Sequence, residues 1–248
     1  MVEMHDHAAA KFPPSRARQG LLATVKQYLN SVPFAATLAR HFYFGVLARS
    51  FGGSADYWEK RYRTGRDSGP GSYGPLALFK AEVLNGFVRG NGIETIIEFG
   101  CGDGAQLSLA RYPNYLGIDI SPAAIERCKT RFSGDSTKTF AVAGSARAVQ
   151  CDLALSLDVI YHLVEDSVFG AYMRELFAAA RRFVIIYSSN AAIAGPEPHI
   201  RHRNFTDWVG AHEPQWRLRE RIANHHPFDA RDPQNTSFAD FYIFEKTA

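Results

Sequence analysis

The stretch Ile96-Ile97-Glu98-Phe99-Gly100-Cys101-Gly102-Asp103-Gly104-Ala105-Gln106-Leu107-Ser108-Leu109-Ala110 decides the fold. Its apolar run carries one acid and reads as a strand from Thr95 to Phe99. Three alternating glycines then mark a turn, and helical spacing follows from Ala105 to Arg111. A strand, glycine turn and helix bring backbone N–H groups and the positive end of a helix to the C-terminal edge of a sheet, where open α/β sheets bind ligands. The same residues fit the dinucleotide fingerprint, with Ala105 as the third small residue. Glu98 separates the readings. A pyrophosphate in this turn would lie beside Glu98 and Asp103, and two like charges about 4 Å apart cost on the order of 4 kcal/mol at an effective dielectric near 20. A cationic ligand would be attracted by the same acid. The bland alternative is that Glu98 caps the helix or faces solvent.

Working outward, strands and helices alternate. Strands are predicted at Tyr115 to Ile120, Thr139 to Ala143, Leu153 to Leu157, Phe183 to Tyr187, Arg217 to Ile222 and within the final SFADFYIFEK. Helices fall at SPAAIERCKTRF, where Ser121 caps and Pro122 takes the first turn, at Glu165 to Ala180, and in RNFTDWVGAH. This is the pattern of an α/β, Rossmann-like, mostly parallel seven-stranded sheet with helices on both faces and an antiparallel last strand. On the N-terminal side, 1–14 read as a disordered tail and 15–94 as a helical arm and lid, with helical patterns near 16–30 and 33–50. The remainder, 95–248, forms the sheet domain.

A chain of 248 residues, 46% hydrophobic and 21% charged, can bury a sizeable core. A net charge of +3 gives no general argument for nucleic acid. The basic excess is N-terminal and includes Lys11, Arg16, Arg18, Lys26 and Arg40; it is either a solvated helical face or an arm for an acidic partner or anionic membrane surface. Arg40 and His41 interrupt the most apolar early segment, so no membrane span is expected. Three cysteines, Cys101, Cys128 and Cys151, lack metal-ligand spacing and fit a reducing cytoplasm.

With IIEFGCGDG, YLGIDIS and LALSLDVIYHLVED read as the turns after the first, second and fourth strands, the chain resembles the class I S-adenosylmethionine-dependent methyltransferases from about Tyr57 onward. That cofactor carries an ammonium and a sulfonium and no phosphate, which suits Glu98. The resemblance implies cofactor contacts at Glu98, Gly100, Cys101, Gly102, Asp119, Ile120 and Leu157. Asp119 ends the second strand, where it can accept from both ribose hydroxyls. DYWEKRY is similar to the helix that closes over the methionine end in many members, which assigns Trp58 and Tyr62 to a lid; the alternative is plain core packing. Many members carry an acid after the third strand for the adenine amino group. Here AGSARAV offers Ser145, or a backbone carbonyl, in its place. GSYGPLALFKAEVLN, HIRHRNFTDW and NTSFADFYIFEK resemble bacterial methyltransferases associated with glycan synthesis.

Methyl transfer to a hydroxyl requires in-line positioning and removal of a proton, and a general base contributes roughly 10²–10⁴-fold. The acceptor is expected beyond the fourth and fifth strands, among Asp158, Tyr161, His162, Ser188, Ser189 and Asn190. His162 is either the base or a brace beneath the cofactor. Asp158 orients the acceptor, meets the donor's positive end, or caps the turn. In an extended chain His199, Arg201 and Arg203 share a face and could supply a base and clamp an anionic group; otherwise they are a surface loop paired with Glu197 and Asp207. No metal is expected. The reading is a cytoplasmic methyltransferase acting on an oxygen of a sugar or other small, possibly anionic metabolite. Its rivals are an RNA or protein methyltransferase, a nicotinamide oxidoreductase and a non-catalytic scaffold.

Overall fold

The computed structural model describes residues 52–144, 149–192, 197 and 199–247. The expected tail and the helices at 16–30 and 33–50 lie outside the described residues, as does Ser145.

Seven strands form one sheet: β1 Thr95–Phe99, β2 Asn114–Asp119, β3 Lys138–Val142, β4 Cys151–Leu157, β5 Ala180–Ser188, β6 Trp216–Ile222 and β7 Asp240–Lys246. Their order is β3-β2-β1-β4-β5-β7-β6. β7 runs antiparallel to both β5 and β6, and the pairs from β3 to β5 are parallel. The strand order therefore reverses between β1 and β4, the switch point at which such sheets open a crevice.

The central strands are apolar runs because both faces are covered. Alternate residues feed two layers. Ile96, Leu153, Leu155, Ile185 and Ile243 enter one cluster with Phe79 and Leu84; Ile97, Phe99, Ala154, Val184 and Ile186 enter the other with Met173 and Phe177. Full burial of each such aliphatic side chain contributes about 1.5–3 kcal/mol.

Five helices complete the described chain: α1 Ser54–Arg63, α2 Gly74–Gly90, α3 Pro122–Arg131, α4 Asp166–Ala179 and α5 Phe205–His212. In α2 the buried positions Leu76, Phe79, Lys80, Leu84 and Val88 recur at helical spacing, so the lysine sits inside the apolar stripe. Ser121 caps α3 as its sequence indicates, its side chain accepting from the Ala124 N–H at 3.2 Å. The first turn of α1 is instead capped from a distance: Glu165 accepts from the Ser54 N–H at 3.0 Å and from its hydroxyl at 2.6 Å.

Two expectations change. The helix expected at Ala105 to Arg111 is only a 3-10 turn, Gln106–Leu109. Pro113 follows closely and biases Tyr112 toward extended backbone, so the chain passes straight into β2. β5 begins three residues before Phe183, with Ala180 following the last residue of α4 directly. No helix among the described residues is long and apolar enough to cross a membrane.

Candidate active site

Above the switch point the three glycines take left-handed backbone, Gly100 at φ 81, Gly102 at φ 58 and Gly104 at φ 74. Space requires glycine here as well as conformation. A side chain at Gly100 would strike Val159, and one at Gly102 would strike Ser68 and Tyr62. The Gly100 N–H bonds the Ile118 carbonyl at 2.7 Å, tying the turn to the end of β2.

Under this turn lies a cavity of about 220 Å³. Trp58, Tyr62, Glu98, Gly100, Cys101, Gly102, Asp119, Ile120, Leu157, Asp158 and His162 all line it. The structure thus brings together every described residue assigned to the cofactor with two of the three assigned to catalysis. Its charged lining among the described residues is Glu98, Asp119, Asp158 and Glu175 against the single cation Lys80.

Glu98 is buried and accepts from the Tyr115 hydroxyl at 2.7 Å. Burial pushes its carboxyl up to about 7, against smaller lowering effects from Tyr115 and Lys80. Asp119 accepts from the Gly102 N–H through one oxygen and from the Ser121 N–H through the other, each at 2.9 Å. Burial raises it to about 6, the backbone donors limiting the rise. Asp103 points elsewhere. It accepts from the Ala105 N–H at 3.0 Å, from the Ser68 hydroxyl at 2.9 Å and from the Tyr73 hydroxyl at 3.0 Å. Burial alone would raise its carboxyl, but these donors outweigh it and hold it below the usual range. The acids lining the cavity are therefore Glu98, Asp119, Asp158 and Glu175, and Asp103 instead anchors the loop that follows α1.

That loop and α1 cover the cavity. Trp58 and Tyr62 face in, and the Tyr62 hydroxyl bonds Ser68 at 3.0 Å. The far side of α1 is tied to α3: Ser121 bonds Glu59, and the Arg127 guanidinium reaches the Tyr62 carbonyl and, at 2.6 Å, that of Arg66.

On the acceptor side, His162 Nδ1 lies 3.1 Å from the His199 carbonyl. A carbonyl only accepts, so Nδ1 carries the proton and Nε2 keeps its lone pair. Burial pushes this imidazole down to about 4, so it is neutral near pH 7. Its ring meets Trp58 edge-on at 4.9 Å and lies parallel to His199 at 5.6 Å. His199 does not reach the cavity. It is stacked on Tyr57 at 4.3 Å, with Nε2 3.6 Å from Glu197. Tyr161 donates to Asp158 at 3.0 Å, behind the cavity wall.

Arg201 and Arg203 do not form the expected clamp. Both turn onto Asp166, at 3.0 and 3.2 Å, and donate to the carbonyls of Leu163 and Val164. Arg203 also lies over the Phe169 ring at 4.6 Å. The face that the two arginines share is not free: it lies on the 163–166 segment, whose carbonyls it satisfies. Their acid partner is Asp166, where the sequence suggested Glu197 and Asp207.

Two features were not anticipated. Lys80 reaches Asp158 at 2.6 Å, signalled in the sequence only by a charge on the apolar stripe of α2. Ser189 pairs with His202 Nδ1 at 2.6 Å beyond the end of β5, a contact no local spacing announces.

Comparison with known proteins agrees with this geometry. Residues 96–184 match the family described as Methyltransferase domain. The small RNA 2'-O-methyltransferase of Arabidopsis thaliana is 30% identical over 42% of this chain and 13% of its own length. The EEF1A lysine methyltransferase 4 of Mus musculus is 31% identical over 31% of each. The chain thus spans about an eighth and about a third of these curated relatives. Among solved structures, the N-methyltransferase NodS of Bradyrhizobium japonicum WM9, in complex with S-adenosyl-l-homocysteine, superposes with TM-score 0.62 at 16% identity, covering 79% of this chain and all of that one. At this identity the superposition speaks to the fold.

Proposed function

We propose that the chain works as an S-adenosylmethionine-dependent enzyme that methylates an oxygen of a sugar or another small metabolite, a reading supported by the match of residues 96–184 to the family described as Methyltransferase domain. The observation that carries this reading is the charge of the cavity. Four acids and one lysine among the described lining residues suit a ligand with ammonium and sulfonium groups and repel a pyrophosphate.

The roles follow from position. Glu98 holds the ammonium. Asp119 keeps a lone pair on each oxygen for the two ribose hydroxyls, beyond the backbone bonds that fix it. Gly100 and Gly102 allow close approach, with Cys101 behind them; Ile120 and Leu157 supply apolar wall. Ser145 remains our assignment for the adenine edge. Trp58 and Tyr62 close the methionine end and exclude water. When bound, the cofactor supplies a methyl group on a good leaving group.

His162 receives the acceptor's proton on Nε2, the nitrogen that its bond to His199 leaves bare. His199 thereby acts through its carbonyl and ring stacking. Asp158 orients the acceptor, and Tyr161, which donates to Asp158, holds that carboxylate in place. The Tyr161 ring lies 6.1 Å from that of His202, which bonds Ser189, and 5.3 Å from that of the half-exposed Phe238; this mixture of ring faces and hydrogen-bonding edges suits a hydroxylated ring. A small RNA is the second reading, supported by the local match to an RNA 2'-O-methyltransferase.

The experiment is transfer of labelled methyl from S-adenosylmethionine into a panel of nucleotide sugars, glycans and small RNAs, run alongside Asp119→Ala. Label entering a sugar, with Asp119→Ala folded but binding cofactor about tenfold or more weaker, supports the reading. Label entering RNA alone, with a steep salt dependence, replaces it with the second.

A further inference from the structure

We propose that Lys80 is a positioning residue that holds Asp158 as a carboxylate against the cavity and thereby sets how far the site prefers the charged methyl donor over its demethylated product. This rests on the cofactor reading above and concerns the same cavity.

The geometry is unusual in two ways. Lys80 is 1% exposed, yet its ammonium has driven into an apolar helix face, 2.6 Å from Asp158 Oδ2 and 5.2 Å from the centre of the Tyr187 ring. A buried ammonium costs several kcal/mol without a partner, so the helix retains it only together with Asp158. Asp158 in turn is the one non-glycine residue at positive φ among the described residues, at φ 59. Such backbone costs about 1–3 kcal/mol and persists where the surroundings over-determine it. Here they do. The Asp158 N–H bonds the Tyr187 carbonyl at 2.9 Å and Tyr161 donates to Oδ1 at 3.0 Å. The lid loop presses Gly71 so close that a Cβ there would lie 2.7 Å from Oδ2.

Asp158 is therefore faced by Lys80 from α2, by Tyr161 and His162 from the turn after β4, by Tyr187 from β5 and by the backbone of Gly71. Glu98 feels the field of the same lysine. Donor and product share an adenosine and an amino-acid end; they differ in the charge on sulfur. The ratio of their affinities thus cancels what Glu98 and Asp119 contribute and reads the field near the sulfur. With Lys80 in place, that field is fixed. Without it, the Asp158 carboxylate faces the cavity with no cation beside it, and the field near the sulfur becomes more negative.

The test is calorimetric titration of S-adenosylmethionine and S-adenosylhomocysteine into the wild type, Lys80→Met, Asp158→Asn and the double variant between pH 6 and 8.5. Methionine keeps the length and packing of the lysine stem. The affinity ratio in favour of S-adenosylmethionine should be about tenfold higher in Lys80→Met than in the wild type and should return toward the wild-type value in the double variant. A Lys80→Met ratio identical to the wild type at every pH would reduce the lysine to packing and overturn the proposal. If Lys80→Met does not fold, Asp158→Asn decides: its ratio should fall below the wild type, and an unchanged ratio overturns the proposal. A wild type that binds neither ligand overturns the cofactor reading itself, and this inference with it.

Discussion

At the scale of single residues, Glu98 shows how a site can work against the fold that holds it. Its carboxyl is raised in the folded protein to about 7 from 4.5. A raised acid contributes stability that is present below the unfolded value and lost as pH climbs through the folded one. At pH 8 the buried ionised group costs on the order of 3 kcal/mol. Glu98→Gln keeps an acceptor for Tyr115 and removes that charge, so its melting temperature should exceed the wild type's at pH 8 and match it near pH 4. The same variant should bind S-adenosylmethionine about tenfold or more weakly, a stability gain at the expense of function. Equal melting curves at pH 8 would show that Glu98 is not a strained acid. His162 carries a second prediction. An imidazole pushed down to about 4 stays neutral through the usual range, so kcat/KM should show no His-like loss between pH 7.5 and 5.5 once the cofactor is saturating. A limb near 6.5 would assign the proton to another histidine. These two residues differ in legibility. Glu98 could be placed at the cavity because it stands two residues before Gly100, near the end of β1. His162 could be named, but its tautomer depends on a carbonyl 37 residues away.

At the scale of elements, α1 and the loop after it are tied down by distant acids. α1 has no side-chain cap of its own; Glu165 supplies one from the turn before α4, and Asp103 holds the following loop through Ser68 and Tyr73. Hydrogen bonds to a charged acceptor contribute about 1.5–3 kcal/mol each. Asp103→Asn should therefore speed hydrogen exchange across 64–73 by about tenfold or more while leaving the strands protected. Uniform exchange across the chain would mean that the turn collapses, and unchanged exchange that the latch is idle. The lid helix was visible in the spacing of Trp58 and Tyr62. Its fastening was not, because the partners of Ser54 and Ser68 lie 111 and 35 residues away. The same limit explains Arg201 and Arg203. Alternation along a chain puts Arg201 and Arg203 on one face but does not say what that face meets, and here it meets Asp166 and the carbonyls of Leu163 and Val164.

At the scale of the molecule, the alternation of strands and helices was legible because parallel strands buried on both faces are apolar runs. Missing from any local pattern was the convergence of α2, β4 and β5 on one ion pair, the buried Lys80 with Asp158. The edge of the sheet makes a related point. β6 sets Arg217, Arg219 and Arg221 along an exposed border, paired with Glu245 and Asp240, which discourages strand addition by a second chain. The whole arrangement converges on one claim: an acidic cavity at the switch point receives a cationic methyl donor. Titration calorimetry of the wild type with S-adenosylmethionine and with NAD, at pH 6, 7 and 8, tests it most directly. S-adenosylmethionine should bind with an affinity that falls as pH drops below about 7, approaching tenfold per pH unit as Glu98 takes up its proton, and NAD should not bind. Tight binding of NAD with none of S-adenosylmethionine would contradict the account.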